Sequence, residues 1–561
     1  MTKRHTIPLG VILIATSQIL GVWLGGFSGT PLMGGSLVSV AGVVKDDAGK
    51  PLRGARVTAT VGDRSVSRFT DKAGRYKISG LQPGTYEIAA GGWGLEKKRN
   101  TKDLTGDTDL SFSLAPKWDA RQISSADWLT ALPENEDTQE LRATCIKCHN
   151  LSWIVRNKGF TAPQWNNLLM NMGGFGDRLY GKWDNSKDRN TLHLSKEQSE
   201  RIAGILEKYF GPKSPLPTRE QVQHPAISDA ALRATFREYK APTKSYIHSI
   251  KPDPNGKYVW FTEFDKFSKR LGRFDIAKEE FLEIPLPADG SSTFVIQGGK
   301  VWVTAGRKMY EVDAETGKWI EHVPPAAALG DPPGDGGWRT MGQDSAGNVW
   351  LSGGLQVTKF DPRTQAFQSF PVPKVKAVPE DYYRNILNVK SDAQKEFGYW
   401  TYSLVTDSHD NVWFTAYDVG QIGRVDPRTN EIKMYRIPGA LWIKGIEVDQ
   451  NDNVWLGNFL HAKLDKLDPK TGQVEQYQPP TQYASFYTPV ADKKGQVWLS
   501  DFSGSQLTRF NPANKEFTEY PLPAPDGMVR FFGLDPKGRV WYVDWDTGRI
   551  GVLDPGDASA P

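Results

Sequence analysis

From Val38 to about Leu114, apolar and polar residues alternate. Turn signals interrupt the pattern at Asp47-Ala48-Gly49, Lys72-Ala73-Gly74 and Gln82-Pro83-Gly84. Short strands joined by regular turns predict a small β-sandwich. Between about residues 134 and 212 the period becomes helical. Ile202, Ile205, Leu206 and Tyr209 fall on one stripe, and two segments open on a capping box, Thr161 with Gln164 and Ser195 with Gln198. Gly173-Gly174 and Gly211-Pro212 end these helices. Beyond residue 219 short apolar runs return, each built on Val-Trp. Their tryptophans are Trp260, Trp302, Trp350, Trp413, Trp455, Trp498 and Trp541.

The tryptophans are spaced by 42, 48, 63, 42, 43 and 43 residues. A D-x-x-G/D-N stretch often precedes Val-Trp, and a D-P-x-T turn with a proline-ended strand follows it. Four short strands per repeat predict a seven-bladed β-propeller, with each tryptophan packed between blades. The longest interval holds an insertion at 371–400, of a length suited to a lid over one face. The chain therefore divides into an N-terminal segment (1–35), a sandwich (36–116), a helical module (117–218), a propeller (219–556) and a tail (557–561). The class is mainly β, multidomain.

In the first module, Gly42-x-Val44 and D-x-x-G-x-P-L-x-G-A-x-V, ending at Val57, precede T-D-x-x-G-x-Y-x-I (Thr70–Ile78) and L-x-P-G-x-Y (Leu81–Tyr86). This segment resembles the carboxypeptidase regulatory-like domain, which implies a transthyretin-like sandwich with a structural or docking role.

The helical module holds the only two cysteines of the 561-residue chain, Cys145 and Cys148, with His149 directly after them. Cys-x-x-Cys-His is the attachment signature of c-type haem. Two thiols add to the porphyrin vinyl groups, and the adjacent imidazole takes the proximal iron position. A dithiol redox pair leaves His149 unexplained, and a zinc site needs more Cys or His nearby. The flanking helices resemble a small cytochrome c domain with one covalent haem c. Its sixth ligand stays open among Met172, Met170, His193 and no protein ligand; the Trp165-x6-Met172 spacing favours Met172.

Composition narrows the partners. A net charge of +4, spread without a basic block, argues against nucleic acid. "MTKRH" followed by an apolar stretch directs export, through a signal peptide or an uncleaved N-terminal membrane anchor, and points to a periplasmic or secreted protein. With 8 histidines in the chain, few can serve as bases; the propeller has His248, His322, His409 and His461.

"WFTE" at Trp260–Glu263 and "NVWFTAYDVGQIGRVDP" at 411–427 resemble the virginiamycin B lyase (streptogramin lyase) propellers. That resemblance implies elimination at a cyclic depsipeptide ester, with histidine and glutamate near magnesium. The set does not map here residue by residue, and a divalent metal on the propeller face has no motif to hold it.

The third position after each repeat tryptophan (Glu263, Ala305, Gly353, Ala416, Asn458, Asp501 and Asp544) is expected to ring one mouth of the channel. Glu263, His461, Asp501 and Asp544 are the candidate catalytic groups. Nearby loops add Asp265, Lys266, Tyr417, Asp418, His461, Trp545 and Asp546, and connectors add Trp338, Arg339, Trp400, Tyr402, Trp442, Lys444, Tyr483, Tyr487, Arg530 and Phe531, a lining suited to a small polar or aromatic substrate.

Three function classes compete. The first is a haem-dependent oxidoreductase or electron-transfer component with a periplasmic redox partner protein. The second is a carbon–oxygen lyase with Glu263 or His461 as base. The third is a non-catalytic haem-containing sensor or binding protein.

Overall fold

The computed structural model describes residues 36–146, 150–170, 196–243, 246–263, 269–288, 293–329, 338–376, 396–397, 401–416, 419–440, 442–545 and 547–556. The N-terminal segment, Cys148, His149, Met172, His193, most of the 371–400 insertion and the tail lie outside them.

The alternation of the first module becomes two packed sheets. One pairs Val38–Asp46 with Arg75–Leu81, Thr108–Asp109 and Phe112–Leu114. The other runs Arg64–Phe69, Arg56–Val61, Gly84–Gly92 and Leu95–Leu104. Val40, Val57, Ile78 and Ile88 fill the space between them. Gly74 allows the tight turn: its φ is +71°, and a Cβ there would lie 2.5 Å from the Val44 carbonyl oxygen.

The repeat becomes seven four-stranded blades among the described residues. Blades 1 to 6 span 247–285, 294–322, 340–371, 401–436, 443–477 and 486–521. Blade 7 takes Phe532–Leu534, Val540–Asp544 and Arg549–Asp554 from the C-terminal end. Its outer strand, Thr235–Lys240, comes from before blade 1. Strands from both ends of the module close the ring. That outer strand also pairs antiparallel with Arg64–Phe69, so sandwich and blade 7 share one continuous eight-stranded sheet.

Each Val-Trp strand is buried on both faces because blades stack around the axis. Trp413 packs with the core of blade 5, and Trp541 with that of blade 1. The preceding aspartate holds the turn. Asp407 accepts the backbone N–H groups of His409 and Asn411 and the Trp413 indole N–H, each at 2.9 Å. Asp344, Asp449, Asp492 and Asp535 accept the indole N–H of Trp350, Trp455, Trp498 and Trp541 in the same way. Blade 2 replaces this device with a two-residue turn, Gly298-Gly299, both at positive φ.

The helical module comprises α1 (Ser125–Thr130), α2 (Glu136–Cys145), α3 (Ser152–Arg156), α4 (162–170) and α5 (Lys196–Phe210). Thr161 and Gln164 begin α4 as their spacing predicts, and Ile202, Ile205 and Leu206 of α5 enter the core with Trp128, Leu141 and Trp165. Among the described residues, no helix is long and apolar enough to cross a membrane.

Candidate functional site at the propeller mouth

The innermost strands of blades 1, 4, 5 and 6 each carry a β-bulge at the same place. Ile247 pairs with Glu263 and Ile250 with Phe261, so His248 and Ser249 together oppose Thr262. Tyr402-Ser403, Lys444-Gly445 and Tyr487-Thr488 repeat this two-against-one arrangement. A bulge frees one N–H from the ladder and re-aims a side chain. Three of the four N–H groups find a hydroxyl on the neighbouring strand: Ser249 donates to Thr262 Oγ1 (3.1 Å), Ser403 to Thr415 Oγ1 (3.0 Å) and Thr488 to Ser500 Oγ (3.1 Å). The bulge in blade 5 uses Gly445 instead, where a Cβ would lie 2.4 Å from the Tyr487 carbonyl oxygen.

The re-aimed side chains meet. The Tyr402 and Tyr487 hydroxyls hydrogen-bond each other. The Lys444 ammonium lies 4.1 Å from the Phe459 ring centre and 4.6 Å from that of Tyr487. Arg530 stacks on Trp545 at 3.8 Å, and His248 contacts the rings of Phe531 (5.1 Å) and Trp545 (5.6 Å). Aromatic and basic groups from blades 1, 4, 5, 6 and 7 thus form one cluster at the mouth. Trp442 is buried in this cluster, and Tyr483 joins the core of the helical module. Trp338 and Arg339 lie at blade 3, buried and half-buried respectively.

The third position after each tryptophan lies at the end of its blade's second strand. Glu263, Ala305, Gly353, Ala416, Asn458, Asp501 and Asp544 are all buried and do not form an open lining. These strand ends lie beneath the connectors and hold them. Asp501 accepts the backbone N–H groups of Ser485 (2.8 Å) and Gly504 (2.9 Å), and burial pushes its carboxyl up to about 6. Asp544 accepts from Met528 N–H (3.2 Å) and Thr547 Oγ1 (2.8 Å). In blades 1, 4, 5 and 6 the extra residue of the bulge re-aims a first-strand side chain toward the mouth. Sequence reasoning placed Tyr402, Lys444 and Tyr487 there as connector residues but left His248 out. His461 is exposed in the turn after blade 5's second strand. The mouth-loop residues 264–268, 417–418 and 546 lie outside the described residues, and among the described residues no cluster of three metal-ligating side chains occurs.

The helical module docks on this mouth. Ala143 of α2 is fully buried among Trp442, Phe459, Tyr487, Phe502 and Trp545, with Trp153 of α3 packed beside it. Arg142 donates to the Leu460 carbonyl (3.2 Å) and lies 4.4 Å from the Tyr483 ring centre, while the Tyr483 hydroxyl donates to Glu134 (2.5 Å). Ala126 N–H donates to the Ser503 carbonyl (2.9 Å), and Arg156 pairs with Asp526 (2.5 Å). Cys145, on the last turn of α2, is half-buried against the helical core. Met170, the last described residue of α4, is 52% exposed.

A separate cavity of about 70 Å³ lies at the junction of the modules, lined by Asp127, His224, Thr481, Gln506 and Glu519. His224 Nδ1 is 3.1 Å from Asp127, and its ring stacks on Trp93 of the sandwich at 4.8 Å.

Residues 391–559 match the virginiamycin B lyase family, and residues 39–115 match the carboxypeptidase regulatory-like domain. The propeller is thus virginiamycin B lyase-like, and the sandwich is a carboxypeptidase regulatory-like domain. Among solved structures, a streptogramin B lyase is 18% identical, covering 58% of this chain and 99% of its own, with a TM-score of 0.48. Selenomethionine-substituted virginiamycin B lyase from Staphylococcus aureus is 17% identical, covering 57% and 99%, with a TM-score of 0.47. No curated protein matches the chain.

Proposed function

We propose that this is an exported, periplasmic c-type haem protein. In it the propeller mouth binds a small ligand or partner protein and the haem transfers single electrons. One observation carries the reading: α2, which ends at Cys145, docks across the aromatic and basic mouth. Haem attached at Cys145 and Cys148, with His149 as proximal ligand, would therefore be tethered beside the propeller's binding surface.

The described half of the motif fits the group. Cys145 is half-buried and packs against the apolar core of the helical module, an environment that suits a porphyrin edge. Bound haem would supply one-electron exchange. Cys145, at the end of α2, would hold that group against the apolar core of the helical module. An N-terminal membrane tether and a periplasmic redox partner complete the proposal.

A lyase is the second reading, favoured by the family match over 391–559, which spans blades 4 to 7. Exposed His461, in that region, is its candidate base. A reduced-minus-oxidised visible spectrum of protein produced with a cytochrome c maturation system separates the two. The haem reading expects a c-type α-band that disappears in Cys145→Ala/Cys148→Ala. Absence of covalent haem overturns it. Ester opening of a cyclic depsipeptide that is lost in His461→Ala would then establish the lyase.

A further inference from the structure

The innermost strand of each blade sets one residue directly opposite the repeat tryptophan. Around the ring these residues are Lys251, Val295, Gly342, Val405, Glu447, Val490 and Gly533. This level lies three residues beyond His248 and Lys444 on their strands, roughly 10 Å farther along the channel than the mouth cluster. All but two of the ring residues are valine or glycine, and those two carry opposite charges.

Lys251 belongs to blade 1 and Glu447 to blade 5, with blades 6 and 7 between them on one side and blades 2 to 4 on the other. Solvent reaches both: Lys251 is exposed and Glu447 half-buried. Protein nevertheless surrounds them. Burial lowers the Lys251 ammonium from its ordinary value, against the opposing effect of Glu447. Burial pushes the Glu447 carboxyl up to about 8, against Lys251 and the Ala491 backbone N–H, while Asp449 adds to the rise. Groups that water reaches and protein encloses stand on the wall of a narrow channel.

Each charge acts on the other through space, and among the described residues no hydrogen bond joins them. The Lys251 ammonium lies 6.0 Å from the Phe294 ring centre, and the Ala491 N–H holds Glu447 on its own side. Opposite charges across a low-dielectric space attract, yet neither sheds its water without a partner in contact. A guest with one charge would satisfy one group and be repelled by the other. A guest with both, its carboxylate toward Lys251 and its ammonium toward Glu447, satisfies each with charge-assisted hydrogen bonds.

We propose that the channel binds a small zwitterion, of the class of short amino acids, between Lys251 and Glu447. The valines and glycines at the same level suit a short aliphatic chain and add no further polar group. The site needs neither the haem nor a lyase activity.

The test is saturation-transfer NMR of the full-length protein at pH 8 with glycine, β-alanine and γ-aminobutyrate. Acetate and methylammonium are the single-charge controls. At least one zwitterion is expected to bind about tenfold or more tightly than either control, and the best chain length measures the gap. Lys251→Met and Glu447→Gln should each weaken that binding about tenfold or more. The exchanged pair Lys251→Glu/Glu447→Lys should restore it, because a zwitterion can turn end for end. Circular dichroism shows whether each variant folds; where a variant does not, the wild-type ranking of zwitterions against the two controls decides. Acetate bound as tightly as the amino acids, and lost only in Lys251→Met, would reduce the site to an anion site and overturn the proposal. No zwitterion bound by wild type, or binding unchanged in both single variants, would overturn it as well.

Discussion

Phe414 and Gly423 face each other across adjacent strands of blade 4, and a methyl group on Gly423 would meet the ring 2.1 Å away. Blades 1 and 7 repeat the pair as Phe261–Gly272 and Tyr542–Gly551, with approaches of 2.1 and 2.2 Å. Blades 3, 5 and 6 put leucine opposite Thr358, Asp465 and Thr508. These six blades therefore pair large against absent or medium against medium, whereas blade 2 sets Val303 opposite Tyr310.

Gly423→Ala is expected to destabilise the propeller by about 1–3 kcal/mol, the usual cost of overfilling a packed core. Phe414→Leu/Gly423→Ala should recover part of the loss, because it recreates the medium-against-medium pairing. Urea unfolding of both variants checks the prediction. A double variant no more stable than Gly423→Ala would refute the volume argument.

Asp407 gathers two backbone donors, the Asn411 side chain at 2.9 Å and the Trp413 indole. Asp407→Ala strands the fully buried indole N–H of Trp413 and loosens the turn. The expected cost is about 1–3 kcal/mol for the unsatisfied group. His409→Ala, at the exposed corner of that turn, should change stability by less than about 0.5 kcal/mol. Thermal unfolding of the two proteins side by side gives the comparison.

Glu519 has a carboxyl pushed up to about 7 by burial, and the nearby Asp501 carboxylate raises it further. A folded-state value above the ordinary one means that the native protein holds this proton more tightly than the unfolded chain. Stability should therefore be fullest below the ordinary carboxylate range and decline as pH rises from there through about 7. Asp501, raised to about 6, acts in the same direction. Glu519→Gln should flatten the stability profile between pH 5 and 7.5 in denaturant titrations. An unchanged slope would exclude Glu519 as its source.

Arg142 joins the helical module to the propeller through Leu460, Tyr483 and Glu134. Its replacement by alanine removes a charged hydrogen bond worth about 1.5–3 kcal/mol. Arg142→Ala should make cleavage between residues 117 and 222 about tenfold faster under limited proteolysis, with cleavage inside the blades unchanged. Equal rates in both proteins would place the docking energy elsewhere, at Ala143 or Ser503.

The site was less legible in the sequence than the blades were. Tyr402, Lys444 and Tyr487 could be named as connector residues, but their meeting across blades 4 to 6 could not. Asp501 and Asp544 looked like mouth residues because strand alternation places them there. Beside Asp501 a bulge on the neighbouring strand adds one residue and changes which first-strand side chain faces the channel; Asp544, in a blade of regular register, is buried where it accepts from Met528 N–H and Thr547 Oγ1.

By itself, the sequence determined what depends on near neighbours. The Asp-to-Trp turn closes within six residues, the Thr161–Gln164 cap within three, and the sandwich turns through Gly49 and Gly74 need only a local positive φ. Tertiary structure decided what depends on partners far along the chain. Arg64–Phe69 pairs with Thr235–Lys240, which in turn pairs with Arg549–Asp554, so one sheet fuses the sandwich to a blade closed from both ends. Ala143 lies beside Tyr487 for the same reason. Burial of a small apolar face on α2 against the rings of blades 5 to 7 sets that contact, and no local periodicity encodes which rings those are.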